Sequence, residues 1–155
     1  MAFNLSGAIT GGTVTGLTSP TVTWTAGAAP VPNAKRFTAT TLGGTQTGVH
    51  VHEISRPFDL TVFQPSVYRM LGTPNPVTGV YQQVPYNVHS VVVRYGLVYA
   101  SGQPVRNGIA EITLKLPAGS DSADSAGVAA LWSAAVGAIY NQCSGFGDTV
   151  RNGTL

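Results

Sequence analysis

Apolar and polar residues alternate through the later half of this chain, and near its end the period changes. In Ile109-Ala110-Glu111-Ile112-Thr113-Leu114-Lys115-Leu116 the even positions are Ala, Ile, Leu and Leu, and most odd ones are polar. That is the two-residue period of a strand with one buried and one wet face. Pro117 ends it. Phe58-Asp59-Leu60-Thr61-Val62 alternates as cleanly, and Pro65 limits how far it pairs centrally. Residues 88–99 predict a longer strand, in which Val91-Val92-Val93 is apolar on both faces and so expected to be covered on both.

Upstream, Thr21-Val22-Thr23-Trp24-Thr25 alternates behind a turn at Gly11-Gly12, which predicts an N-terminal hairpin within residues 8–29. The Pro30 and Pro32 stretch is a connector that cannot be helical. Residues 37–42 and 49–54 flank Gly43-Gly44 and predict a second hairpin. Residues 72–79 form a loop, and residues 101–108 a turn.

After Pro117 the period becomes 3.6. Ser120 or Asp121 is placed to cap a helix, with Asp124 adding negative charge in its first turn. Val128, Leu131, Trp132, Ala135 and Ile139 then share one stripe. Gly127 and Gly137 each weaken an isolated helix by up to about 1 kcal/mol, so packing must hold it. Gly145 and Gly147 are expected to end it, leaving residues 148–155 as a short turn or tail. Strands first and helix last predict an α+β fold: an antiparallel sheet with an N-terminal hairpin and a C-terminal helix on one face. The expected layout is one domain, 1–155, with a hairpin region at 1–33, a sheet at 34–117 and a helical region at 120–155.

Composition sharpens this picture in one respect. Only 9% of the 155 residues are charged, against about 25% in ordinary soluble domains. Uncharged polar groups are cheaper to desolvate than charges, so a Thr-, Ser- and Gly-rich surface can be covered by other subunits. The hydrophobic content of 43% excludes disorder. No apolar run approaches the roughly 20 residues that span a bilayer, so no membrane partner is expected. The first six residues have neither a basic leader nor an apolar core, so no signal peptide is expected. The net charge of +2 permits nucleic acid without arguing for it.

Candidate chemistry is sparse. His50 and His52 alternate in Gly48-Val49-His50-Val51-His52-Glu53, so on a strand they would share a face and could share a metal. Glu53 falls on the opposite face, and His89 lacks the surroundings of a second metal motif. Cys143 is the single cysteine and has no internal partner. There is no Gly-x-Ser-x-Gly elbow, no carboxylate pair and no phosphate loop. Arg-Asn-Gly at Arg106 and Arg151 reads as a turn in both places. No enzyme, no cofactor and no resident metal are expected.

Residues 107–132, NGIAEITLKLPAGSDSADSAGVAALW, resemble the final strand and first helix of coat proteins of single-stranded RNA bacteriophages. The order of elements is similar too. The resemblance implies homodimers with sheets joined edge to edge, closing into an icosahedral shell, helices outside and genomic RNA on the inner sheet face. In that family one RNA hairpin bound on this face represses translation. It implies a virion protein assembled in the bacterial cytoplasm. On the last strand it places Glu111 and Thr113 toward RNA, and Lys115 extends that row; on the strand before, which is apolar on both faces, Ser90 and Arg94 are expected to join them. The turn at residues 101–108 falls where the family has a loop lining symmetry axes, and it is shorter here. Two other readings remain open from the residues. One is a pilus, tail or fibre subunit polymerising through strand edges. The other is a small cupin-like metal enzyme using His50 and His52.

Overall fold

The computed structural model describes residues 3–5 and 7–153. Six strands form one antiparallel sheet in sequential order: β1 (Gly7–Thr10), β2 (Thr18–Gly27), β3 (Ala34–Thr45), β4 (Phe58–Phe63), β5 (Tyr86–Leu97) and β6 (Arg106–Pro117). Three helices follow: α1 (Ser120–Ala123), α2 (Ser125–Asn141) and α3 (Cys143–Asn152). The α+β layout expected from the two periods is the one observed. None of the described helices is long and apolar enough to cross a membrane.

Register decides which side chains share a face. Val91 lies opposite Ile112, Val93 opposite Ala110 and His89 opposite Leu114, while Leu60 and Val62 on β4 face Val93 and Val91. Phe37 on β3 faces Leu60, and Trp24 on β2 faces Ala39. One side of the sheet is therefore apolar across β2 to β6. Edge-on aromatic contacts run along it, Trp24 to Phe58 at 5.3 Å and Phe58 to Tyr95 at 4.9 Å. Among the described residues the buried apolar ones are few: Phe37, Ala39, Val92 and Ala118.

Several expectations are corrected. No second hairpin turns at Gly43-Gly44: β3 runs through both glycines and pairs with β2, and residues 49–54 form no strand. The ladder is irregular there, with Ser19 at φ 47 and a register shift between Thr18 and Thr21. Gly44 sits at φ 72, where a Cβ would strike the Ser19 carbonyl oxygen. The glycine pair thus serves a bulge rather than a turn.

The helical region also differs. Ser120 begins only a single-turn helix after Gly119, and Asp124 itself caps α2, its Oδ1 accepting from Gly127 N at 2.9 Å. Gly145 and Gly147 lie inside α3, because packing outweighs their low propensity. Gly147 lies against Val14 of the first hairpin, where any side chain would clash. Of the expected tail, residues 154–155 lie outside the described residues. Neither Arg-Asn-Gly is a free turn: Arg106 opens β6, and Arg151 closes α3 ahead of left-handed Gly153.

The stripe on α2 is only partly packed. Val128 and Trp132 are half-buried, whereas Ala135, Leu131 and Ile139 are exposed, and α2 buries no residue. Its start stands over β4 to β6 around a hollow of about 500 Å³ lined by Val62, Val91, Ile112, Leu114, Val128 and Trp132. At the far end α3 is tied to the tip of the first hairpin. Thr15 Oγ1 donates to Asp148 Oδ1, and Arg151 Nη1 to the Thr15 carbonyl, both at 2.9 Å. The helices bridge the sheet without filling the space beneath them.

Candidate functional site

Opposite the apolar side lies a polar one, built by the other half of each alternation. Its rows follow from register: Thr38, Asp59, Arg94 and Ile109; then Arg36, Thr61, Val92 and Glu111; then Ser90 beside Thr113, and Val88 beside Lys115. All five residues expected to face RNA, Ser90, Arg94, Glu111, Thr113 and Lys115, therefore occupy one face of two paired strands. Glu111, Thr113 and Lys115 are exposed; Ser90 and Arg94 are half-buried. Thr113 Oγ1 donates to Glu111 Oε1 at 2.9 Å, which holds that carboxylate along the strand.

Two charged groups on this face escaped the sequence reading. Arg36 Nη2 donates to Asp59 Oδ2 at 2.6 Å, and Asp59 is only 2% exposed. Register sets Arg36 opposite Thr61, so the pair forms on the diagonal between β3 and β4. The signal was present in the alternation, since Asp59 and Thr61 are its polar positions. What was missing was the register joining residues across the irregular 46–57 segment. The face carries the cations Arg36, Arg94 and Lys115 against the carboxylates Asp59 and Glu111.

Beyond Arg36, on the rest of β3 and on β2, the polar face continues without charge. Thr25 and Thr40 hydroxyls hydrogen-bond at 3.2 Å, and Thr38 and Thr40 donate to the Thr25 and Thr23 carbonyls. This gives a hydroxyl-lined strip beside the charged rows.

The sheet has two unlike edges. β1 is four residues long, whereas β6 is twelve and, among the described residues, pairs only with β5. A regular edge strand of that length presents a row of backbone donors and acceptors to another chain.

His50 and His52 do not make the metal pair that a strand would give. They lie in the irregular segment before β4, where strand alternation does not operate. The His50 backbone N–H donates to the Tyr95 hydroxyl, and His52 Nδ1 accepts from Phe58 N–H, both at 3.0 Å. His52 thus uses one ring nitrogen to shape the entry into β4. Among the described residues, no cluster of three or more His, Cys, Asp or Glu side chains is arranged to hold a metal.

No family model and no curated protein matches the chain. A solved structure does: a virus-like particle of bacteriophage ESE020, 38% identical, with 99% of this chain and 100% of that chain covered and a TM-score of 0.95. Identity of this order along both whole chains, on a sheet and helices that superpose throughout, extends well beyond a shared fold. The chain belongs to the coat proteins of bacteriophages.

Proposed function

We propose that this coat protein is the shell subunit of a single-stranded RNA phage, assembling through homodimers and holding genomic RNA on the polar face of its sheet. The observation that carries the reading is the double character of β6. It is the long free edge of the sheet, and it bears the polar row Glu111, Thr113 and Lys115. Pairing β6 with β6 of a second copy, about a two-fold axis normal to the sheet, joins two six-stranded sheets into one. That operation keeps both polar faces on the same side and brings the two rows together at the centre. It also leaves both sets of helices on the opposite side, over the apolar hollows.

The chemistry of the joined face suits RNA. Arg94, Lys115 and Arg36 meet phosphate, while Ser90, Thr113 and the threonine strip reach sugar hydroxyls and base edges. A hairpin bound there would give translational repression. Closure into an icosahedral shell then occurs in the bacterial cytoplasm around the genome. A capsid role also accounts for the low charge, because much of the surface is covered by neighbours.

Light scattering and negative-stain microscopy of the recombinant protein test the assembly, and the ratio of absorbance at 260 and 280 nm tests for packaged RNA. Closed particles containing nuclease-protected RNA are expected. A stable monomer at micromolar concentration refutes the shell; filaments favour a fibre subunit instead. Empty particles with no affinity for RNA refute the inner-face assignment alone.

A further inference from the structure

Between β4 and β5 the chain makes a long excursion, residues 64–85, with no strand or helix of its own. Connections longer than about 12–15 residues are uncommon in compact domains, and are usually functional or disordered. This one is built. At its base Asn87 grips Arg69 twice, its Oδ1 accepting from Arg69 N at 2.8 Å and its Nδ2 donating to Arg69 O at 3.1 Å. Leu71 lies against Gly119 at the entry to α1. At its tip the Asn75 Oδ1 accepts from Val77 N and Thr78 N, and backbone bonds join Asn75 to Gly79 and Val80.

What this ordered loop presents is apolar. Val77 is 89% exposed, Met70 84%, Val67 76% and Val80 61%. From Met70 to Pro85 there is no Asp, Glu, Lys or Arg. Arg69, beside Val67 and Lys115, is the one charged residue at the base of this loop. Single exposed apolar residues are ordinary, but an apolar cluster on a fixed support, free of charge from Met70 outward, marks a contact surface. Pro65, Pro74, Pro76 and Pro85 remove backbone donors along it, so the contact is made by side chains and not by strand addition.

We propose that loop 64–85 is the contact between neighbouring dimers of the shell, with Val67, Met70, Val77 and Val80 seated on an uncharged surface of another copy of this chain. The inference rests on the shell reading above. The occupant is a copy because a coat protein has copies of itself as neighbours. This chain also supplies a matching charge-free partner: residues 1–34 and 95–105 carry no Asp, Glu, Lys or Arg. The contact lies beyond the dimer because the loop leaves from the ends of β4 and β5, whereas pairing through β6 extends the sheet sideways.

The test is Val77→Asp/Val80→Asp in the full chain, with microscopy, light-scattering mass and thermal melting as readouts. Expected are dimers that melt like parent dimers and do not form particles. Particles of parental size and heat resistance overturn the proposal. A variant that falls to monomer also overturns it, because the loop would then belong to the dimer. Val77→Thr/Val80→Thr keeps the side-chain shape and guards against misfolding of the Asp pair. It should raise the protein concentration needed for particles several-fold, and an unchanged threshold counts against the loop. A parent chain that stays dimeric overturns the shell reading itself, and the inference with it.

Discussion

Replacing Arg36 by Ala strands a carboxylate that cannot reach water. Asp59 is 2% exposed; Arg36 bonds one of its oxygens, and the other has no partner among the described residues. Removing one partner of a buried ion pair leaves an uncompensated charge and costs about 3–5 kcal/mol. At about 2–4 °C per kcal/mol for a chain of this size, Tm falls by roughly 6–20 °C. The reverse deletion should be milder. The Arg36 side chain is 33% exposed, so in Asp59→Ala its guanidinium can turn to solvent. The cost is then nearer the roughly 1.5–3 kcal/mol of one hydrogen bond to a charged group. Arg36→Met/Asp59→Leu removes both charges and should lie close to the parent or above it. Urea denaturation of all four proteins at one fixed concentration makes the comparison, since self-association renders stability concentration-dependent. If Asp59→Ala costs as much as Arg36→Ala, burial of the carboxylate does not govern this pair.

Lys115→Ala should weaken the proposed RNA binding and reduce its log–log salt slope by about one unit, while changing stability by no more than about 1 kcal/mol; filter binding across a salt series checks it. Leu114→Asp places an unpaired carboxylate in the hollow beneath α2 and should leave little soluble protein; normal yield and melting would mean the faces are reversed. Trp132→Ala, at a half-buried ring in the same hollow, should cost less in an isolated chain than the about 3–5 kcal/mol of a fully buried aromatic, and should shift the proposed dimer toward monomer on a sizing column. Gly44→Ala forces a side chain into a left-handed residue facing the Ser19 carbonyl, and a melting temperature equal to the parent's would show that the bulge can relax.

Local periodicity carried the reading where one face of an element meets apolar surface and the other meets polar. Residues 109–116 are such a case: Ile112, Leu114 and Leu116 are half-buried, and Glu111, Thr113 and Lys115 exposed. Because side chains alternate with every residue, that strand also assigned its own polar row. The reading failed where long-range packing replaced local preference. Gly43-Gly44 reads as a turn in isolation, yet pairing with β2 draws the chain straight through it. Gly145 and Gly147 read as breakers, yet docking on the first hairpin keeps them helical.

By itself, then, the sequence determined the strand-then-helix order, the two faces of the cleanly alternating strands β4 and β6, and the shortage of charge. Each of these depends on neighbours a few residues apart. Only the tertiary structure decided the register that joins Arg36 to Asp59, the isolation of β6 at the edge, and the hollow beneath α2. It also decided that the 64–85 excursion is an ordered apolar platform. These features arise from contacts between residues far apart in the chain. Closing those loops costs entropy that only the assembled sheet repays, and no local pattern records which pairings prevail.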